Sequence, residues 1–471
     1  MRPTLPLLAF VVALAAAALR SAELQPWTLD DAYISFRYAE HWAAGLGPVY
    51  TVGERVEGYT CFLWVALLAA GHALGAATEP LSKALGGLAA AGTLALLTSE
   101  REGRSPVAAV LLGCCGAFSA WALSGMEVAL VCLLVLGGWR AHLAGAPVAS
   151  GLLGGLAAMT RPDALLAPLV QAAELAWQRR GGALLRHVGA TALLFAPWWA
   201  ARWAWYGWFW PNTAYAKVGA TPDQLWRGLG YVAGAALPLA PVWLPALLLP
   251  LAPTRGRYAG LAAWIGLHLA YVVAVGGDVM PGYRFLVVAL GPIALLAGVG
   301  LQPFGPRRAW AAAALLGAAS LAVAHVDPQL SRRFVEPDIG ARGREVGLWL
   351  RDHLPPDALV ATNTAGSVPY FSGLPALDML GLCDEHIAHA PVPRMGRGLA
   401  GHEKGDGAYV LSRRPAVVLW GAARGRRSPL FRSDRQLDAL PAFHRQYRLE
   451  RHTLPSGAAL WLWRRTDVAL R

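Results

Sequence analysis

Apolar runs broken by short polar or basic stretches fill the first two-thirds of the chain, and the pattern then changes. The runs fall at 5–19, 62–74, 81–97, 107–123, 128–138, 164–177, 184–206, 229–251, 260–275, 285–300 and 309–324. Several are shorter than the roughly 20 residues a helix needs to cross hydrocarbon, and 151–159 is too short to count alone. The first run follows Arg2 and also fits a cleaved signal peptide. An uncleaved first span is the better reading, because many spans follow and it would anchor the loop that starts at Asp30-Asp31.

Charge between the runs sets an orientation. Arg179, Arg180 and Arg186 form one basic loop, Arg255 and Arg257 a second, Arg307 and Arg308 a third. With all of these in the cytoplasm, the loops 208–217 and 276–285 lie outside, as does everything beyond Ala324. A cytoplasmic N-terminus then requires an odd number of spans, about eleven. The stretch 99–163 fits least well, since Arg101, Arg104 and Arg140 oppose the sign rule there, and one span in it is expected to be broken, short or re-entrant.

From about Asp327 the period changes. "REVGLWLRDHL" (344–354) spaces Val346, Leu348, Leu350 and Leu354 as a helix does, whereas "DALVATNT", "RRPAVVLW" and "GAALWLWRR" read as strands. The expected fold class is therefore a polytopic α-helical membrane protein with a C-terminal extracytoplasmic α/β domain. Its expected divisions are a multi-span region, 1–326, with an external loop at 21–60, and an outer domain, 327–471.

Composition agrees with this division. Of 471 residues, 56% are hydrophobic and only 15% charged, with a mean hydropathy of +0.40. The net charge of +12 does not indicate nucleic acid, because the arginines lie between apolar runs and in the final third, with no basic patch on a recognisable nucleic-acid fold. Of the five cysteines only Cys383 lies in the polar C-terminal region, so that region holds no internal disulfide, and there is no paired CxxC arrangement.

The chemistry-bearing residues lie mostly at the edges of the apolar runs. In "TLDDAYISFRYAEHW" (28–42), Ile34, Tyr38 and Trp42 form one apolar stripe of a helix that would lie along the membrane interface. Asp30 and Asp31 would begin that helix, where its dipole favours negative charge; capping and catalysis are both open readings of the pair. "GLGPVYTVGERVEGYT" (45–60) continues as a turn-rich loop with Glu54, Arg55 and Glu57. Glu127, Arg161 and Asp163 sit between apolar stretches, where a charge is costly unless paired or facing a cavity. In the outer region Asp378, His386, His402, Glu403 and Asp406 invite a metal reading, but "HEKGD" lacks the second histidine of HExxH, and no metal ligand is assigned. Trp420, Trp461 and Trp463 are sugar-stacking or core residues, with core packing favoured by the alternation of the last two.

The segment 30–64 resembles the first external loop of polyprenyl-phosphate-dependent glycosyltransferases of the multi-span GT-C fold, in particular the terminal arabinofuranosyltransferases of bacterial arabinan assembly. The likeness continues in "SGMEVAL" (124–130), "TRPDALL" (160–166), "PNTAYAK" (211–217), "GGDVMPGYRF" (276–285), "AGSVPYFSGLPALDMLGLCDEHIA" (365–388) and "GHEKGDGAYVLSRRP" (401–415).

This resemblance implies an enzyme of the bacterial cytoplasmic membrane, with its active site on the extracytoplasmic face. It would move a sugar from a polyprenyl-phosphate donor to a glycan acceptor, arabinofuranose being the sugar suggested. A sugar hydroxyl is a weak nucleophile near neutral pH, so a carboxylate base assists; Asp30, then Asp31, match the family's acidic pair. The leaving phosphate calls for a cation, from Lys217, Arg284 beside Asp278, or Arg161. Glu57, Glu127, Asp163, His386 and His402 are candidate substrate contacts, each with a structural alternative. The partners are the lipid-linked donor, the glycan acceptor and the membrane, with no nucleic acid. The donor is already activated, so no nucleotide is needed; no cofactor is assigned, and a divalent metal is left open. A lipid-sugar transporter or flippase is the alternative function, and a glycan-binding relative with a degenerate site is a third.

Overall fold

The computed structural model describes residues 4–24, 27–98, 106–331 and 338–471. Arg2, Arg101 and Arg104, which bear on the orientation, lie outside these. The chain forms two compact units. One contains residues 1–26, 82–201 and 225–335; the other contains 27–81, 202–224 and 336–471. The second unit thus gathers the Asp30 loop and the 208–217 loop with the C-terminal residues.

The first unit is helical. Among the described residues, four helices of the chain are long and apolar enough to cross a membrane: Leu5–Glu23, Thr78–Leu97, Arg284–Phe304 and Pro306–Val326. The pair Pro222–Ala236 and Ala240–Leu251, bent by 76°, adds a fifth if counted as one span. Shorter apolar helices cover Phe62–Ala73, Val128–Leu143 and Pro147–Thr160. The run 107–123 is broken at Cys114-Cys115 into Val107–Gly113 and Gly116–Ala122. Burial separates the roles of the long helices. Arg284–Phe304 is 83% buried, whereas Leu5–Glu23 and Pro306–Val326 are each 28% buried and expose leucines such as Leu19 and Leu315. An all-apolar helix with its surface covered is a core element, and one with exposed leucines suits lipid. Gly300 permits a close approach in this core, since a Cβ there would stand 2.5 Å from the Pro245 carbonyl oxygen.

The second unit carries a five-stranded sheet: β1 (Val360–Thr362), β2 (Ala376–Asp378), β3 (Val417–Leu419), β4 (Tyr447–Thr453) and β5 (Ala459–Arg465). Their order is β2-β1-β3-β5-β4, with β1 parallel to β2 and β3, and β5 antiparallel to β3 and β4. The three parallel strands are buried throughout, as expected of strands covered on both faces. The period of two sorts their side chains between two cores. Val360, Val417, Leu419, Leu460 and Leu462 pack with Val346, Trp349 and Leu350 of helix Ile339–His353. Ala361, Val418 and Trp420 pack on the other side with Leu377, Phe443 and Tyr447. Trp420 is fully buried, and Trp463 packs 4.7 Å from it, ring to ring. Both are core residues.

Candidate active site

Helix Asp30–Ala43 starts at the first aspartate, with Leu29 in the capping position and no side-chain cap. The Asp30 carboxylate does not cap its own helix. It reaches the turn after β1, where Oδ1 accepts from the Ser367 backbone N–H at 2.8 Å and from the Ser367 hydroxyl, and Oδ2 accepts from the Gly366 N–H at 3.2 Å. Gly366 is needed for this approach, because a Cβ there would fall 1.8 Å from the Asp30 carbonyl oxygen. A carboxylate has about four acceptor positions, so three donors leave one on Oδ2.

All three donors are neutral. Burial therefore prevails over them, and, with Asp31 adding like-charge repulsion, pushes the Asp30 pKa up to about 6 from the ordinary 3.8.

The turn that supplies the donors is itself pinned. Arg37, buried in the same helix, donates to the carbonyls of Tyr50 at 2.7 Å, Leu374 at 2.8 Å and Pro369. The Tyr50 hydroxyl donates to the Ala365 carbonyl at 2.6 Å, one residue before Gly366. The helix is consequently buried continuously from Ala32 to Ala39, rather than along one stripe. Neither Arg37 nor Ser367 stood out in the sequence as a functional residue. An arginine within "ISFRYA" was the available signal for the first; nothing marked the second.

Glu57 is held by a residue that sequence reasoning missed. Arg202 donates to both its carboxylate oxygens from Nε, at 3.0 and 3.1 Å, and again from Nη2. Glu57 is 4% exposed and Arg202 also 4%, so this is a buried ion pair. The signal was present: an arginine in the aromatic run "WWAARWAWY" is costly without a partner. Lys217 closes the short helix Asn212–Lys217, and its ammonium has no carboxylate partner among the described residues. Asn212, from the same motif, donates to the carbonyls of Gly381, Leu382 and Asp384 and so fixes that helix locally.

The remaining charged candidates belong to the first unit and are paired. Arg161 donates to Glu127 at 3.1 Å and, through two nitrogens, to Asp163 at 3.0 and 3.3 Å, with all three residues buried. Arg284 grips Asp278 with two bonds of 2.7 and 3.0 Å. Both arginines are thus paired with carboxylates.

In the C-terminal region the five residues that invited a metal reading have separate tasks. Asp378 accepts from the backbone N–H groups of Leu380 and Cys383, and burial raises its pKa to about 6. Glu403 accepts from Gly396 and Gly398, closing a loop. His402 bonds the Ala400 carbonyl and stacks on Phe431. His386 bonds Asp406 at 2.9 Å and lies flat on Tyr409 at 4.0 Å, while Asp406 also caps helix Gly407–Ser412. Among the described residues no three His, Cys, Asp or Glu side chains are grouped to hold a metal ion.

Comparison with known proteins agrees with the resemblance read from the motifs. A family model described as a domain of unknown function, DUF8728, matches residues 333–470. The chain is 30% identical over 344 residues to the terminal beta-(1->2)-arabinofuranosyltransferase of Mycobacterium tuberculosis, covering 59% of this chain and 52% of that protein. It is 27% identical over 326 residues to the protein of the same name from Corynebacterium glutamicum, covering 57% and 47%. The chain therefore spans about half the length of the curated relatives it matches. Its fold is similar to that of ArnT from Cupriavidus metallidurans bound to undecaprenyl phosphate, with a TM-score of 0.55 over 79% of this chain and 85% of that one, at 16% identity. The chain is a multi-pass membrane protein of the GT-C fold, similar in sequence to the terminal arabinofuranosyltransferases.

Proposed function

We propose that this protein is a glycosyltransferase of the cytoplasmic membrane that transfers a sugar, arabinofuranose by analogy with its relatives, from a polyprenyl-phosphate donor to a glycan acceptor on the extracytoplasmic face. In this reading the chain crosses the membrane about eleven times, the shorter apolar helices included. Residues 327–471, joined by the 21–60 loop, lie outside. The observation that carries the reading is the Asp30 carboxylate, half-buried, held by neutral donors only, and poised with its pKa at about 6.

The acceptor hydroxyl oxygen attacks the anomeric carbon, and its proton passes to Oδ2 of Asp30. The bond between that carbon and the phosphate oxygen breaks, and polyprenyl phosphate leaves with the electron pair. Lys217 offsets the charge that develops there. Asp31, adjacent and half-buried, adds the like charge that helps to raise the Asp30 pKa. Glu57 positions its loop through Arg202 rather than through the sugar.

The test is transfer by the purified protein from a synthetic polyprenyl-phosphate arabinofuranose to an arabinan oligosaccharide, followed by mass spectrometry of the product. A product one pentose heavier supports the reading. Donor binding without transfer to any acceptor, together with donor movement between leaflets of a vesicle, would replace it with a flippase.

A further inference from the structure

The second unit contains an open cavity of about 740 Å³, apart from the Asp30 clasp in the residues that line it. One part of its wall is aromatic. Trp208 lies 4.2 Å from the His389 ring, and His389 in turn lies 4.3 Å from Tyr215. His386 and Tyr409 add their flat stack. The rest of the wall is hydrogen-bonding: Glu54, Asp384, Glu385 and Asp406 against Arg55 and Arg413.

Most of these charges are used within the protein. Glu54 pairs with Arg413 at 2.8 Å, Asp406 with His386, and Asp384 accepts from the Tyr409 hydroxyl at 3.0 Å. Arg55 lies over the Trp205 ring at 4.2 Å. Glu385 is exposed and has no ion-pair partner among the described residues. The Nε2 of His389 is buried without a hydrogen-bond partner.

The chemistry selects a ligand class. Four carboxylates against two guanidiniums give the wall a formal excess of negative charge, which disfavours a phosphate or other anion. Flat rings present apolar faces to C–H groups, and carboxylates accept from hydroxyls. A neutral polyhydroxylated chain satisfies both, and the volume lies in the range of ligand sites of that size.

We propose that this cavity binds a neutral oligosaccharide, as a subsite that grips the acceptor chain away from the reacting hydroxyl, with Trp208 the stacking platform and Glu385 a hydroxyl acceptor. The acceptor role rests on the transferase reading; the binding of a neutral glycan does not.

The test uses the full-length protein in detergent and a reduced arabinofuranosyl hexasaccharide, with dodecyl phosphate as the anionic probe. Binding is measured by calorimetry for wild type, Trp208→Ala, Glu385→Gln and Asp30→Asn. The expected result is a loss of about tenfold or more in hexasaccharide affinity for Trp208→Ala, a smaller loss for Glu385→Gln, and wild-type affinity for Asp30→Asn. In the transfer assay the first two substitutions raise the acceptor KM, with kcat at saturating acceptor retained. Unchanged affinity in both cavity variants, or competition of dodecyl phosphate for the hexasaccharide site, would overturn the proposal. If Trp208→Ala unfolds, the exposed Glu385→Gln decides the matter alone. Transfer that survives Asp30→Asn would instead remove the catalytic reading and leave the subsite standing.

Discussion

Two acidic groupings, one in each unit, are treated by the protein in opposite ways. Glu127 and Asp163 are tied to one guanidinium, that of Arg161. Asp30 is tied only to backbone N–H groups and a hydroxyl. An arginine offsets the charge it binds and favours the ionised form of the carboxylate. Neutral donors orient a carboxylate without cancelling its charge, so it can still take a proton. The comparison teaches that a carboxylate's readiness to take a proton depends on the nature of its partners as well as on burial.

The sharpest way to break the comparison is Asp30→Asn. It keeps the shape of the side chain and removes its basicity, so transfer should fall by about 10²- to 10⁴-fold, the usual worth of a positioned base. The matching change in the other grouping is Arg161→Met, which leaves two carboxylates buried without a cation. It should lower stability by about 3–5 kcal/mol, read as unfolding in detergent. If Arg161→Met leaves stability intact and abolishes transfer, Arg161 belongs to the donor site and its pairing with Glu127 and Asp163 is not structural.

A third effect is smaller and depends on pH. If Asp30 is the base it works only when ionised, and kcat/KM should then rise with pH up to about 6 and level off. At one unit below that point activity should stand about tenfold under the plateau. The sign for stability is the reverse. With the folded pKa at about 6 and the ordinary value at 3.8, the native state holds this proton more tightly than the unfolded chain. The stabilisation is complete below 3.8 and is lost as pH rises through 6. A pH profile that is flat between 5 and 7 would place the base elsewhere, with Asp31 first in line.

The sequence made one half of this contrast legible. Two aspartates after an apolar run, and an arginine two residues before an aspartate in "TRPDALL", are conspicuous because charge is rare in such surroundings. Arg202 could have been found by the same rule. Ser367 could not: it lies 337 residues from Asp30, and a serine in a turn after a strand is ordinary. The sheet was visible where its strands are apolar. β2, of three residues, is too short to show a period, and β4, "YRLERHT", is paired on one side only and carries polar residues along most of its length. Its register comes from pairing with β5, which local composition does not encode.

The finest test of the contrast leaves Asp30 in place and changes one partner. Ser367→Ala removes the hydroxyl donor and keeps both N–H donors. A hydrogen bond to the ionised form lowers a carboxylate pKa, so its loss must raise it. The acid limb of the kcat/KM profile should therefore move upward by up to about one unit, with the plateau little changed. Ser367→Thr, which restores a hydroxyl, should move it back if the added methyl is accommodated. A merely structural serine would lower stability in the alanine variant and leave the limb where it was. An arginine partner could not be tested in this way, because its removal exposes a whole unit of uncancelled charge. Ser367 can be tested because it is neutral, and that neutrality is what leaves Asp30 free to exchange its proton.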